Sequence, residues 1–186
     1  MILLVPVAIV GIVGLVWLVV TFNRLASVRV HLRSSWADVD VELKRRYDLV
    51  PNLVETVKGH AAHERTLFEE VIALRDVARA NHDRPDRQSG DERAMESGLG
   101  QLLAVAEAFP ELKSSERFLD LQEELTNTED RIAAGRRFYN ANVRELNQLC
   151  RTFPSSLVAG IFGFETQGFF EAEAGSRSAA IVDREP

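Results

Sequence analysis

KRRYDLVPNLVETVK, residues 44–58, is the stretch around which the chain is organised. Three basic residues open it, and an apolar periodicity follows Pro51. Val50 precedes a proline and is pushed away from the α region, while Asp48 is a good N-cap for a helix that accepts Pro51 in its first turn. The stretch therefore predicts that one helix ends near Tyr47 and that the chain reverses into a second.

Before this stretch, the run from Ile2 to Val20 contains no charged residue. At helical rise it covers about 28 Å, close to the ~30 Å thickness of the hydrocarbon core. A signal peptide and a buried core helix are the alternatives, but no Lys or Arg precedes the run and Leu25-Ala26-Ser27 is a mediocre cleavage site. We interpret residues 1–23 as an uncleaved transmembrane anchor, with residues 2–20 in contact with the lipid bilayer.

The charges beside this anchor predict its orientation. Arg24, Arg29 and Arg33 follow the span, whereas only the terminal amine precedes it. The positive-inside rule then places the amino terminus outside and the folded domain in the cytoplasm, at the bacterial inner membrane. A single cysteine, Cys150, offers no intrachain disulfide, which agrees with a reducing compartment.

The net charge of the chain is −6. Basic residues are concentrated near the anchor, and the remainder of the chain is acidic. An acidic distal domain argues against a nucleic-acid partner.

Apolar residues recur at three- and four-residue steps along most of the chain, which predicts helices. No Gly or Pro occurs between Gly14 and Pro51, so we expect the membrane helix to continue as a rigid stalk to Tyr47. A second helix follows to about Asn81, and the composition of residues 83–91 predicts a mobile loop.

The third predicted helix runs from about Asp91 to Phe109, where Pro110 closes it. The clearest periodicity then predicts a long helix from Ser114 to Thr152, and a short one follows within residues 154–163. The seam of the long helix is Phe118, Leu121, Leu125, Thr128, Ile132, Gly135, Tyr139, Asn142, Leu146, Leu149 and Phe153.

Together these patterns predict an all-α protein, in which a single transmembrane helix continues into an antiparallel four-helix bundle. The predicted bundle spans residues 24–171, and residues 172–186 form a flexible tail. In this arrangement the phenylalanine cluster near the end of the chain lies on the membrane-proximal side. Its rings either cap the bundle core or contact lipid or a neighbouring subunit. The candidate interaction residues are Lys44, Arg45, Arg46, Tyr47, Asp48, Phe162, Phe164, Phe169 and Phe170.

His60, His63 and Glu64 are the only candidate metal ligands with helical spacing that we single out. A di-iron bundle needs paired Glu-x-x-His motifs, and a zincin needs His-Glu-x-x-His; neither pattern is present. We prefer a solvated or hydrogen-bonded histidine pair to a metal site, and we predict no metal and no cofactor. Phosphate loops, dinucleotide fingerprints and nucleophile elbows are also missing, so we predict that the protein is not an enzyme.

Several ordered motifs follow one another along the chain. They are KRRYDLVPNLV (44–54), HE (63–64), AEAFPELK (106–113), FLxLQxEL (118–125), TExRI (128–132), RRxYN (136–140) and FPS (153–155). In this order they resemble those of the bacterial LemA family. The resemblance implies a single-pass inner-membrane protein with a cytoplasmic four-helix bundle and no established catalytic activity. Relatives in that family include a magnetosome-associated protein, which implies a link to membrane organisation. His60 departs from the pattern, where we expect an aromatic residue.

The function that we expect from these features is a membrane-anchored scaffold or adaptor that self-associates and organises or shapes the membrane. The stalk, the long seam and the terminal aromatic residues suggest a homo-oligomer. The alternatives are a metal- or ligand-responsive sensor that uses the histidine pair, and a regulator of a membrane protease or envelope-stress system.

Overall fold

The computed structural model describes residues 4–61, 63–80 and 85–170. Within these ranges the chain is helical apart from turns and a last extended segment, which confirms the all-α prediction. The predicted tail, 172–186, lies outside the described residues. The helices are α1 (Leu4–Lys58), α2 (Arg65–Ala80), α3 (Pro85–Glu107), α4 (Pro110–Lys113), α5 (Glu116–Arg151) and α6 (Ser155–Ile161).

Helix α1 does not stop at Tyr47. It continues through Pro51 to Lys58, so the predicted reversal at residues 47–51 is wrong, and Asp48 lies inside a helix rather than at its N-cap. A proline inside a helix removes one backbone hydrogen bond and crowds the carbonyl four residues earlier, at a cost of about 3 kcal/mol. The helix therefore needs compensating contacts at this point.

Arg75 of α2 supplies one such contact. Its Nε donates a hydrogen bond of 3.0 Å to the carbonyl oxygen of Tyr47, the acceptor that the missing N–H of Pro51 would have used. Beyond the proline, Leu53, Val54 and Val57 are buried. Burial of each such side chain is worth about 1.5–3 kcal/mol, so together they outweigh the cost of the proline.

The chain reverses between Lys58 and Arg65 instead. The amide of Ala61 donates to the carbonyl of Val57 at 3.0 Å, which closes the end of α1, and α2 then folds back along it. His60 and His63 are exposed in this turn, so the prediction that they share one helical stretch is wrong.

Helix α3 begins earlier than its sequence pattern indicates. Residues 85–91, predicted as part of a mobile loop, are helical; residues 81–84 lie outside the described part of the chain. The loop-like composition is overridden by tertiary contacts, because Gln88, Ser89 and Glu92 are buried against α1. Gly98 allows a close approach to α2, since a Cβ there would lie 2.9 Å from a methyl of Leu74.

Helices α1 and α5 share the most extensive contact among the described helices. Their contacts follow in opposite sequence order: Arg24 pairs with Glu145 at 3.1 Å, and Arg45 pairs with Glu124 at 2.9 Å. Between these pairs, a Cβ on Gly135 would lie 2.8 Å from Val39, so only glycine permits this approach.

The predicted seam of α5 is largely confirmed, because Phe118, Leu125, Thr128, Ile132, Tyr139 and Leu146 are buried. Phe153 is the exception. It lies beyond the end of α5 and is 75 % exposed. The seam therefore ends within the helix, and the last predicted seam residue faces outward.

The amino-terminal part of α1 contacts none of the other described helices along most of its length. From Pro6 to Val20 its side chains are exposed, apart from the half-buried Leu18, and burial begins at Thr21. Among the described residues, α1 is the one helix long and apolar enough to cross a membrane. The same helix thus carries an exposed apolar segment and a packed segment.

We predict that Arg75→Met lowers the free energy of unfolding by about 1–3 kcal/mol, because it removes the donor to the Tyr47 carbonyl. In a Pro51→Ala background the same change should cost much less, since the alanine N–H takes over that acceptor. Thermal unfolding of the full chain in mild detergent, followed by circular dichroism, measures both. Arg65→Met, at an exposed pair on the same helix, is the control. Equal losses in the two backgrounds would contradict this role for Arg75.

Candidate functional site: a buried ion cluster and an aromatic cluster beside the apolar segment of α1

The predicted interaction cluster at residues 44–48 lies on α1, where some of its side chains are exposed and others are buried. Lys44 and Arg45 are exposed and form ion pairs with Asp40 and Glu124. Asp48 is also exposed, and an interaction role for these three residues stays a prediction. Arg46 and Tyr47, by contrast, are 2 % and 1 % exposed, so the expectation that they face a partner at the surface is wrong.

Arg46 lies at the centre of a buried ion cluster that joins α1 to α3 and α5. Its Nη2 donates to Glu92 of α3, and its Nη1 donates to Glu129 of α5 at 2.6 Å. Burial lowers the pKa of Arg46, but the carboxylates of Glu129 and Glu92 outweigh this effect and raise its pKa above the usual value. The guanidinium therefore remains charged inside the protein.

Tyr47 completes the cluster. Its hydroxyl donates to the second oxygen of Glu92, and Gln88 donates to the hydroxyl oxygen at 3.2 Å. Burial raises the pKa of Tyr47 well above its usual range, and the negative charge of Glu92 raises it further. The phenol therefore stays protonated at neutral pH and donates its hydrogen bond to Glu92.

A cavity of about 180 Å³ lies beside this cluster, between α1, α3 and α5. Its charged lining is nearly balanced, because Arg93, Arg136, Glu96 and Asp130 line it in addition to the cluster itself. Within the described ranges, no group of three or more His, Cys, Asp or Glu side chains is arranged to hold a metal. The cluster joins three helices through the ion pairs of Arg46 with Glu92 and Glu129, and buried ion pairs can fix which elements pair.

The phenylalanine cluster lies beside the start of the packed part of α1. The ring of Phe162 is 4.8 Å from that of Phe22, and the ring of Phe164 is 5.8 Å from it. The guanidinium carbon of Arg29 lies 4.4 Å from the centre of the Phe164 ring. The cluster is thus next to the end of the exposed apolar segment of α1.

The extended residues 164–170, which we call the strap, return along α5. The side chain of Asn147 accepts a hydrogen bond of 2.8 Å from the backbone amide of Gln167 and donates one of 2.9 Å to the carbonyl of the same residue. Asn140 makes the same pair of bonds with Phe170, both at 2.9 Å, and the Tyr139 hydroxyl donates to the carbonyl of Gly168 at 3.0 Å. Two asparagines therefore hold the strap as a partner strand would.

The four phenylalanines of the predicted cluster differ in how far they are buried. Phe164 and Phe170 are buried, and Phe170 packs against Trp36 with ring centres 5.2 Å apart. Phe162 and Phe169 are 45 % and 37 % exposed. The cluster thus contributes to the core and also leaves aromatic surface outside it.

Sequence reasoning did not find the roles of Asn140 and Asn147, although a signal exists. Seven residues separate them, so they lie on one face of α5, and each amide can satisfy one backbone N–H and one carbonyl. A polar pair of this kind next to an apolar seam indicates an extended segment that needs backbone partners.

Comparison with known proteins gives one family and three relatives. The sequence profile of the LemA family matches residues 35–183. The chain is similar to Magnetosome protein MamQ of Magnetospirillum gryphiswaldense, at 24 % identity over 89 % of this chain and 70 % of the relative. It is also similar to Magnetosome protein MamQ 2 and Magnetosome protein MamQ 1 of Paramagnetospirillum magneticum, each at 23 % identity over the same shares.

We predict that Arg46→Met lowers the free energy of unfolding by about 3–5 kcal/mol, because Glu92 would remain buried without its cation. The double change Arg46→Met/Glu92→Met should recover much of this loss, since both charges are then removed. Urea unfolding of the full chain in mild detergent measures the difference, and Arg45→Met, at an exposed pair, is the control. A double variant no more stable than Arg46→Met would contradict the pairing.

We also predict that the stability difference between the wild type and Tyr47→Phe narrows as the pH rises above about 10, the usual tyrosine pKa. Because folding raises the pKa of Tyr47, its contribution is complete below that pH and is lost as the pH rises toward the folded-state value. Unfolding curves at neutral and alkaline pH measure the difference. A difference that stays constant or widens would contradict the assignment.

Proposed function

The chain belongs to the LemA family, and on this premise we propose that it is a single-pass membrane protein whose helical bundle acts as a self-associating scaffold or adaptor. One observation carries the proposal. Helix α1 has an exposed apolar segment from Pro6 to Val20 and, without interruption, the surface on which α2, α3 and α5 pack. A helix of this kind couples a folded unit rigidly to a membrane span.

In this proposal the four long helices α1, α2, α3 and α5 form an antiparallel four-helix bundle. The opposite-order contacts between α1 and α5 support it, as does the return of α2 along α1, where Arg75 reaches back to Tyr47. The buried cluster around Arg46 would then fix the register of the bundle, since it joins three of the four helices.

The proposed orientation has the amino terminus outside and the bundle in the cytoplasm, at the bacterial inner membrane. Arg24, Arg29 and Arg33 follow the apolar segment directly, and cytoplasmic flanks are enriched in such cations. The relatives at 23–24 % identity are named magnetosome proteins, and a role in organising a membrane structure fits that name.

A scaffold accounts better than an enzyme for how the polar groups are used. Arg46, Glu92 and Tyr47 neutralise or bond one another, and Asn140 and Asn147 hold the strap. Each of these groups serves a packing contact between segments of the chain. A catalytic role would instead require a group held ready for a substrate.

A lateral apolar face supports the self-association part of the proposal. Phe138 is 70 % exposed and borders a groove that Ser34 and Asp38 of α1 also line. Val30 and Val41 are 63 % and 62 % exposed, and their spacing places them on the same face of α1 as Ser34 and Asp38. We propose this face as the contact between copies.

We predict that Phe138→Ser weakens association between copies in liposomes, because it removes the largest exposed apolar side chain of the lateral face. Energy transfer between separately labelled copies, measured over a range of protein-to-lipid ratios, reports the change. Leu119→Ser, at another exposed apolar residue of α5, is the matched control and should leave the transfer unchanged. A strictly monomeric wild type at every ratio would overturn the self-association proposal.

We predict that a cysteine at the exposed Leu119, in a Cys150→Ser background, reacts with an impermeant maleimide only after the membrane is permeabilised. The physical reason is that the positive-inside rule places α5 in the cytoplasm. Labelling of intact spheroplasts and of lysed membranes is compared by mass shift on a gel. Efficient labelling of intact spheroplasts would contradict the cytoplasmic assignment.

A further inference from the structure

Helix α6 and the residue pair before it expose three large apolar side chains. Phe153, Leu157 and Ile161 are 75 %, 56 % and 73 % exposed and follow one another at intervals of four residues. This spacing places Leu157 and Ile161 on one face of α6. Val158 and Ala159 on the other side are buried, so α6 is held against the protein by one face while the other faces outward. We call Phe153, Leu157 and Ile161 the apolar ridge.

The segment that carries the ridge contains no charged residue. Residues 152–164, TFPSSLVAGIFGF, lie between Arg151 and Glu165. Small and aromatic side chains make up most of it, and the hydroxyl group of Ser155 is used locally, since it donates to the carbonyl of Leu149 at 2.8 Å. A surface of this composition has few groups that could bond to water or to a polar partner.

The contacts of Phe162 place the ridge at the height of the membrane edge. Phe162 follows Ile161 directly, and its ring lies 4.8 Å from that of Phe22, two residues beyond the apolar run that ends at Val20. At helical rise, two residues correspond to about 3 Å. The ridge is therefore fixed within the interfacial layer if α1 crosses the bilayer.

The register between α1 and α5 gives the depth of the other end of the ridge independently, and that end lies a little farther into the apolar run. The pairs of Arg45 with Glu124 and of Arg24 with Glu145 advance toward the membrane end by equal steps on both helices. Continued past Arg151, this register brings Phe153 beside the last turns of the exposed apolar segment of α1. Phe153 is the predicted seam residue that finds no place in the core, and its position explains the exception.

We propose that the apolar ridge inserts into the interfacial layer of the bilayer that α1 crosses, on the side of the packed helices. This inference rests on the membrane anchor of the proposed function and adds a second, monotopic contact to it. Lipid is the occupant that the observations favour, because the ridge is uncharged, continuous with the membrane span through Phe22, and bordered by Arg24 and Arg151 at the level where anionic headgroups attract cations.

A second contact with the bilayer would fix how the folded helices are oriented on it. A single helix leaves the folded unit free to rotate about the helix axis, whereas a second contact beside it fixes both tilt and rotation. The lateral face around Phe138 would then be presented in a defined direction in the membrane plane. The ridge thereby orients the proposed scaffold for contacts between copies.

The test places an environment-sensitive fluorophore on single cysteines in a Cys150→Ser background of the full chain. The positions are Leu157 on the ridge, Val13 in the apolar segment and Leu119 on α5, and all three are exposed. The variants are reconstituted in vesicles of phosphatidylethanolamine and phosphatidylglycerol that carry a nitroxide either near the headgroup or in mid-chain. Because the three side chains are exposed, the labels leave the core undisturbed.

The proposal expects a loss of fluorescence at Leu157 that is larger with the shallow nitroxide, the opposite order at Val13, and no loss at Leu119. A loss at Val13 with none at Leu157 would overturn the ridge proposal and leave the anchor intact. No loss at Val13 would overturn the anchor and the ridge together. A third outcome would also overturn the ridge proposal. If the label at Leu157 is protected from both nitroxides and from aqueous iodide, and if this protection increases with the protein-to-lipid ratio, the ridge contacts another copy and not lipid.

Discussion

The hydrogen bond from Arg75 to the carbonyl of Tyr47 replaces the one that Pro51 removes from α1, and with the burial of Leu53 and Val57 it lets the helix continue. Pro51 removes the helical donor to that carbonyl, and a helix normally ends or kinks at such a residue. Because the arginine of α2 takes the place of the missing N–H, the helix continues to Lys58. The buried face of α1 therefore extends from Thr21 to Val57. Helices α2, α3, α5 and α6 all pack against this one.

Residues 46 and 47 connect that helix to the rest of the fold in several directions. The Arg46 side chain reaches α3 and α5, the Tyr47 hydroxyl reaches Glu92, and the Tyr47 backbone reaches α2. Removing one charge from such a cluster costs about 3–5 kcal/mol, a large share of the 5–15 kcal/mol by which domains are stable. The basic stretch that suggested a binding surface is thus mostly a joint between helices.

Sequence patterns predicted the helices with strong periodicity and failed where a tertiary contact decides. The length and seam of α5 followed from its apolar steps, and α6 and the apolar segment of α1 were placed correctly. The helix end predicted at residues 47–51 is wrong, because the hydrogen bond that Pro51 removes is replaced by Arg75, a residue distant in sequence. Yet the steps Val39, Leu43, Arg46, Val50, Leu53 and Val57 run through the proline without a change of phase, which indicates both the continuous helix and the burial of Arg46. The strap carries no periodicity, so only its asparagine partners reveal it.

The central claim is that one unbroken helix carries both the membrane segment and the packed helices. A distance measurement between spin labels at Val20→Cys and Glu55→Cys, in a Cys150→Ser background reconstituted in lipid vesicles, tests it most directly. Both side chains are exposed on α1. A continuous helix predicts a narrow distribution of distances between the labels, centred at about 52 Å for a rise of 1.5 Å per residue. A reversal at residues 47–51 would instead give roughly 35 Å, and that result would contradict the account.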